Sequence, residues 1–215
     1  HLGSMGESVR AILARRTCDG RGMRPGDAFA LNAPYEGGTH LPDITVVMPV
    51  FADDDSAAPA WFVAARGHHA DVGGISPGSM PPASTTLAEE GVLIDNLLLV
   101  DEGRFCEADL RAVLASGEWP ARDPDRNVAD LKAQVAACAK GAAELRRVAA
   151  EQGRDVVEVR VGEDDVRDAA CSMVQLLPVQ SPPLALTLVQ TTVDKKSGPL
   201  VLEQELAARH SAGGA

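Results

Sequence analysis

Apolar positions recur along this chain in two periods, and each period predicts a different element. From Asn127 to Gln152 the apolar residues Val128, Leu131, Val135, Cys138, Ala142, Leu145 and Val148 follow one another at spacings of 3, 4, 3, 4, 3 and 3, which is one stripe of a helix. Asn127 suits its N-cap, Asp130 can complete a capping interaction, and Gly153 suits its stop. The stripe is expected to pack on the chain's own sheet. A shorter helix is predicted over "ESVRAILARR", from Val9, Ile12 and Leu13, with Ser8 near its start, and another over "EADLRAVLAS". "AFALNAPYEGG" reads as a strand running into a glycine-rich bend, and "GVLIDNLLLV" as a buried strand or strand pair. "ITVVMPVF" and "AWFVAAR" are β-rich runs separated by "ADDDSAAP", whose charges and proline mark a loop. Pairing the two runs as an antiparallel hairpin sets the residue opposite Asp43 near His68. "DVGGISPGSMPPAS", with three glycines, three prolines and three serines in 14 residues, is too broken for regular structure and is expected to be a shaped loop.

The fold class that follows is mixed α/β (α+β): a central β-hairpin or sheet flanked by helices. Residues 1–167 are expected to form one partial domain and residues 168–215 a divergent tail of unplaced fold, its apolar runs cut by Pro178, Pro182 and Pro183. No apolar run reaches the roughly 20 residues that span a bilayer, and the start shows no signal-peptide pattern, so the expected location is cytoplasmic.

Composition narrows the function. With 31 acidic against 20 basic residues the net charge is -11, which repels nucleic acid and anionic membranes. Aromatic residues make up 3%, too few for a base-stacking platform. Cys18, Cys106, Cys138 and Cys171 are far apart, without a C-x-x-C pair, so free thiols are expected. Neither a P-loop nor G-x-G-x-x-G is present, so nucleotide binding is not assigned to this chain.

The chemistry-bearing residues concentrate in two segments, "GGTHLPD" and "GHHAD", which hold three of the five histidines. His40, Asp43 and His68 are imidazole and carboxylate groups of the kind that holds a divalent metal ion with a position left open. H-x-x-D suits a tight bend, which Pro42 favours, better than a strand, where residues three apart point to opposite faces. The same spacing is met if His40 only caps the Gly37-Gly38 turn and His68-His69 is a satisfied pair, and spacing does not choose between the two. Ser79 lacks G-x-S-x-G and reads as a loop serine. Glu89 and Glu90 are either a solvated pair or a source of a general base.

Five blocks, "HLGSMGESV", "NAPYEGGTHLPDITVVMPVF", "FVAARGHHADVGGISPGSMPPAS", "EEGVLIDN" and "ADLKAQVAACAKGAAEL", occur in this order and resemble the hydantoinase B family, within it the 5-oxoprolinase branch, over about residues 1–160. The resemblance implies that His1 is native rather than a vector remnant and that the chain begins inside its domain. It implies a cyclic amide hydrolase that opens 5-oxo-L-proline to L-glutamate, with ATP handled by a hydantoinase A-type partner domain or subunit. A related ketone carboxylase subunit and an inactive fragment serving only as an interaction module are the alternatives, and the isolated fragment is expected to be inactive. The small-molecule cyclic amide would be made electrophilic by phosphorylation of its oxygen and then attacked by water that a divalent cation acidifies. By the matching blocks His40, Asp43 and His68 are the implied metal ligands, with His69 ranked below His68. Asp71, Glu89 or Glu90 would take or orient the proton of the water.

Overall fold

The computed structural model describes residues 4–53, 56–78 and 80–153, and the backbone of three strands at 174–176, 184–194 and 198–205. Helix α1 (Met5–Cys18) leads into β1 (Ala28–Leu31), a 3-10 turn at Pro34–Glu36, and the hairpin β2 (Asp43–Val50) and β3 (Trp61–His68). A short helix α2 (Leu87–Glu90), strands β4 (Leu97–Asp101) and β5 (Arg104–Phe105), and helices α3 (Glu107–Leu114) and α4 (Pro124–Gln152) follow. The first five strands form an antiparallel sheet in the order β5-β4-β1-β2-β3. Strands β6 (Val174–Leu176), β7 (Leu184–Asp194) and β8 (Gly198–Glu205) continue it through a β3–β7 pairing, so the runs on either side of Pro178, Pro182 and Pro183 are both strands. The mixed α/β class holds, with the hairpin at the centre of the sheet.

Both faces of that sheet are covered, which is why its strands read as nearly continuous apolar runs. Strand side chains alternate between faces. Ala28, Ala30, Ile44, Val46, Trp61, Val63 and Ala65 point toward α3 and α4, in one core cluster with Leu110, Leu114, Leu131 and Cys138. Phe29, Leu31, Val47, Phe62 and Ala64 point the other way, against Met5, Val9 and Ile12 of α1. By the same alternation Thr45 and Arg66 face α1, where the buried Arg66 donates to Thr45 Oγ1 at 2.7 Å, Ser4 Oγ at 2.6 Å, Ser8 Oγ at 2.9 Å and Gly37 O at 3.2 Å. Ser8 therefore sits in the core rather than at the helix start; its hydroxyl donates to Gly37 O at 2.7 Å. Gly37 has φ +86°, and a Cβ there would overlap the α1 backbone at Ser8, so only glycine lets this bend lie on the helix.

The long helix departs from its predicted start. It begins at Pro124, a residue whose missing N–H costs nothing at the first turn, with Asp123 as the cap accepting from the Arg126 N–H at 3.2 Å. Asn127 is instead inside the helix and buried. The stop at Gly153 is as expected, with its N–H donating to Ala149 O. Val128, Leu131, Cys138, Ala142 and Leu145 of the stripe are buried and Val135 is partly so, but Val148 is 37% exposed and Ala149 packs on the core in its place. At 3.6 residues per turn the inward position after Leu145 lies four residues on, so the last step of three falls short.

Leu131 is fully buried on the covered face of α4, whereas Val148 faces outward. Leu131→Ala is expected to destabilise the chain by about 2–5 kcal/mol, and Val148→Ala by no more than about 0.5 kcal/mol. Urea unfolding monitored by circular dichroism measures both.

Candidate metal centre

The hairpin register brings the two chemistry-bearing segments together. Asp43 lies directly opposite His68, the last pair of the β2–β3 ladder. Both follow the alternation of Thr45 and Arg66, so both side chains leave the same face of the sheet at its edge. His40 arrives by a tight bend rather than along the strand: the Asp43 N–H donates to His40 O at 2.9 Å. Buried Asn32 holds this bend from one side, donating to Leu41 O at 2.8 Å and Val92 O at 3.0 Å while accepting from the Ile94 N–H. The His69 N–H holds it from the other, donating to Pro42 O at 2.8 Å.

Asp43 stands between the two imidazoles. Its Oδ1 is 2.8 Å from His68 Nδ1, its Oδ2 is 3.5 Å from His40 Nε2, and Thr39 Oγ1 donates to Oδ2 at 2.9 Å. The two rings meet edge to face at 5.2 Å between centroids. One donor atom from each of the three residues lies within 4.8 Å of the others, and among the described residues this is the one cluster of three such groups. Ligands about 2.1 Å from one ion stand roughly 3–4 Å apart, so the donors need to close by only about 1 Å to share a cation. The Asp43 side chain is 6% exposed and that of His68 is 42% exposed, so the charge is enclosed while one side stays open to a small molecule. Two imidazoles and one carboxylate with open positions suit a divalent transition ion such as zinc, manganese, iron or cobalt.

The other residues singled out in the sequence lie outside this cluster. Asp71 is a loop staple. Its oxygens accept from the N–H groups of Gly73, Gly78 and Arg122 at 2.9, 3.1 and 3.2 Å and from Arg122 Nη1 at 2.8 Å. Burial pushes its carboxyl up, but those backbone donors and the Arg122 guanidinium outweigh burial and hold it below the usual carboxylate range. Glu89 closes a capping box with Thr86, and its Oε2 also accepts from the N–H and hydroxyl of Thr85 at 2.6 and 2.9 Å. Those Thr85 bonds, and the Thr86 N–H, lower its pKa. Both carboxylates thus hold loop structure together. Glu90 is half-buried at the end of α2 and, among the described residues, makes no side-chain hydrogen bond. Ser79 and Cys171 lie outside the described residues.

Three buried amides around the site were not read from the sequence. Besides Asn32, Gln134 of α4 donates from Nε2 to Ile44 O at 2.9 Å and Ala65 O at 3.1 Å, and its Oε1 faces His69 Nε2 at 3.1 Å. Asn127 donates from Nδ2 to Asp71 O at 3.0 Å and to His69 Nδ1 at 3.1 Å. With both Gln134 hydrogens given to carbonyls, its oxygen must accept, so His69 carries its hydrogen on Nε2 and accepts on Nδ1. That is the neutral form, in keeping with burial, which pushes the His69 imidazole below its ordinary pKa. The signal for Gln134 is a polar residue on the apolar stripe, three after Leu131 and four before Cys138.

Comparison with known proteins gives a family and a fold. Residues 1–178 match the family described as hydantoinase B/oxoprolinase. The chain is 40% identical over 157 residues to the 5-oxoprolinase of Dictyostelium discoideum, covering 73% of this chain and 12% of that protein. Two solved structures share its fold: the ATP-dependent caprolactamase from Pseudomonas jessenii (TM-score 0.62, 22% identity, 88% of this chain and 34% of that one) and an acetone carboxylase in its nucleotide-free state (TM-score 0.63, 16% identity, 94% and 29%).

Asp71 has a depressed folded pKa, so the stability it contributes is present above its unfolded value near 3.9 and is lost as pH falls through the folded value. Asp71→Asn is accordingly expected to be less stable than the parent at pH 7, with the difference shrinking once the pH drops below about 4. Thermal unfolding of both proteins between pH 3 and pH 7 tests this; a difference that stays constant across the range would contradict it.

Proposed function

Since the chain belongs to the hydantoinase B/oxoprolinase family, we propose that it is the B-type portion of an ATP-dependent cyclic amide hydrolase that opens 5-oxo-L-proline to L-glutamate. The carrying observation is the convergence of His40, Asp43 and His68 on one open edge of the sheet. The chain spans 12% of the 5-oxoprolinase relative, so the remaining steps fall to sequence outside it, and activation by ATP is assigned to an A-type partner domain or subunit.

An unactivated lactam resists water because its nitrogen donates into the carbonyl. Phosphorylation of the amide carbonyl oxygen by the partner removes that protection, and the task left to this chain is to hold the activated ring while water adds to that carbon, phosphate leaves and the C–N bond breaks, giving the carboxylate and amine of the product. His40, Asp43 and His68 would hold a divalent cation, which supplies Lewis-acid stabilisation of developing negative charge and acidifies water. Asp43 is kept aimed by Thr39 and by burial, and the half-exposed His68 leaves the approach open. Asp71 ties the two ends of the loop of residues 71–78 to each other and to Arg122. Of the acidic residues considered, Glu90 keeps an uncommitted carboxylate, and the proton of the attacking water is assigned to it in this reading.

A ketone carboxylase role is the second reading, favoured by the shared fold with acetone carboxylase. At 16% identity that likeness speaks for the fold alone, whereas the 40% identity to a 5-oxoprolinase speaks for the hydrolase.

Mixed with an A-type partner, ATP and 5-oxo-L-proline, the chain is expected to release L-glutamate, followed by a coupled glutamate assay. His40→Ala is expected to lower that turnover by about 100-fold or more, beyond the 10–100-fold typical of residues that only support ligands. ATP-dependent fixation of labelled bicarbonate into a ketone would favour the carboxylase reading, and partner binding without any turnover would favour an interaction module.

A further inference from the structure

We propose that Gln134 of α4, acting through His69, is a positioning residue that sets the spacing of the cation ligands; this rests on the reading of His40, Asp43 and His68 as a cation site. The geometry points to it because Gln134 touches the neighbour of each strand-borne ligand. Its Nε2 donates to the carbonyl of Ile44, next to Asp43, and to that of Ala65 on the strand that ends in His68. Its Oε1 accepts from the ring of His69, next to His68. One amide therefore ties β2, β3 and the residue beyond β3 to a single point on a 29-residue helix.

Period-two alternation turns that tie into control of the ligand. His69 faces α4 and His68 faces the opposite way, so fixing the His69 ring fixes the rotation of the strand end and with it the direction in which His68 leaves the backbone. Both ring nitrogens of His69 are engaged, Nε2 by Gln134 and Nδ1 by Asn127, which leaves the ring no second orientation that keeps its bonds. The His69 N–H donates to Pro42 O, inside the His40–Asp43 bend, so the same residue also sets the distance from β3 to the other two ligands. A fully buried glutamine among the apolar residues of this face is a poor choice for packing alone, because a leucine there would bury more apolar surface without polar atoms to satisfy. Holding three points of the hairpin end together is what the amide adds.

The experiment is Co2+ binding by the full chain, read as affinity and as the visible d–d bands, which report ligand number and geometry. The variants are Gln134→Met and His69→Phe, each close in size to the residue replaced, with Leu131→Ala as a control that weakens the same helix without touching the network. All are measured at a temperature where each is folded by circular dichroism, and either network variant suffices if the other does not fold. The expected result is Co2+ affinity lowered about 10–100-fold with altered bands in the network variants, and affinity within about threefold of the parent in Leu131→Ala. Parent-like affinity and bands in a folded network variant would overturn the inference, as would an equal loss in Leu131→Ala, since affinity would then only follow stability. If instead the parent's Co2+ binding does not depend on His40 and His68, the cation-site reading itself falls, and this inference with it.

Discussion

The antiparallel register of β2 and β3 is the constraint on which the rest depends. A strand pair admits a side chain to one face or the other, and a slip of one residue would exchange the faces of a whole strand. Here the buried pattern on both sides of the sheet forbids that slip: Val46 and Ala65 must meet α4 while Val47 and Ala64 meet α1. The Asp43–His68 pair at the end of the ladder is a by-product of the same register. The hydrophobic core thus sets the apposition of Asp43 and His68, and the polar residues at the hairpin end refine it.

That refinement is made with neutral groups. Asn32, Asn127 and Gln134 satisfy the carbonyls of Leu41, Asp71, Ile44 and Ala65, the neutral His69 ring links Asn127 to Gln134, and none of the four carries a charge that would compete with Asp43 for a cation. Two of the nearby carboxylates are paired off in turn, Asp71 with Arg122 and the loop N–H groups, Glu89 with the start of α2. The effect is that negative charge at the sheet edge is concentrated on one enclosed carboxylate flanked by two imidazoles.

How much of this could be read beforehand depends on the range of the interaction involved. The hairpin, the helices and the apposition of Asp43 with His68 follow from local periodicity and one loop, so the sequence reading reached them. The drift from Val148 to Ala149 follows from the difference between 3.6 and a run of threes, and was within reach. The start of α4 was misplaced because Asn127 resembles a cap, although Asp123 followed by Pro124 is the stronger signal. Glu89 carried a readable capping-box pattern with Thr86, and the capping box forms. The partners of Asn32, Gln134, Asn127 and Arg66 lie 56 to 90 residues away, apart from the Asn32–Leu41, Arg66–Thr45 and Arg66–Gly37 contacts. No spacing rule reveals those; only the packed sheet brings them together.

The account is tested most directly by a crystal structure of the chain grown with Co2+, with data collected at the cobalt absorption edge. It predicts one dominant anomalous peak at the end of the β2–β3 hairpin, about 2.0–2.2 Å from a donor atom of each of His40, Asp43 and His68. A well-ordered hairpin with no peak there, or with cobalt held only elsewhere, would contradict it.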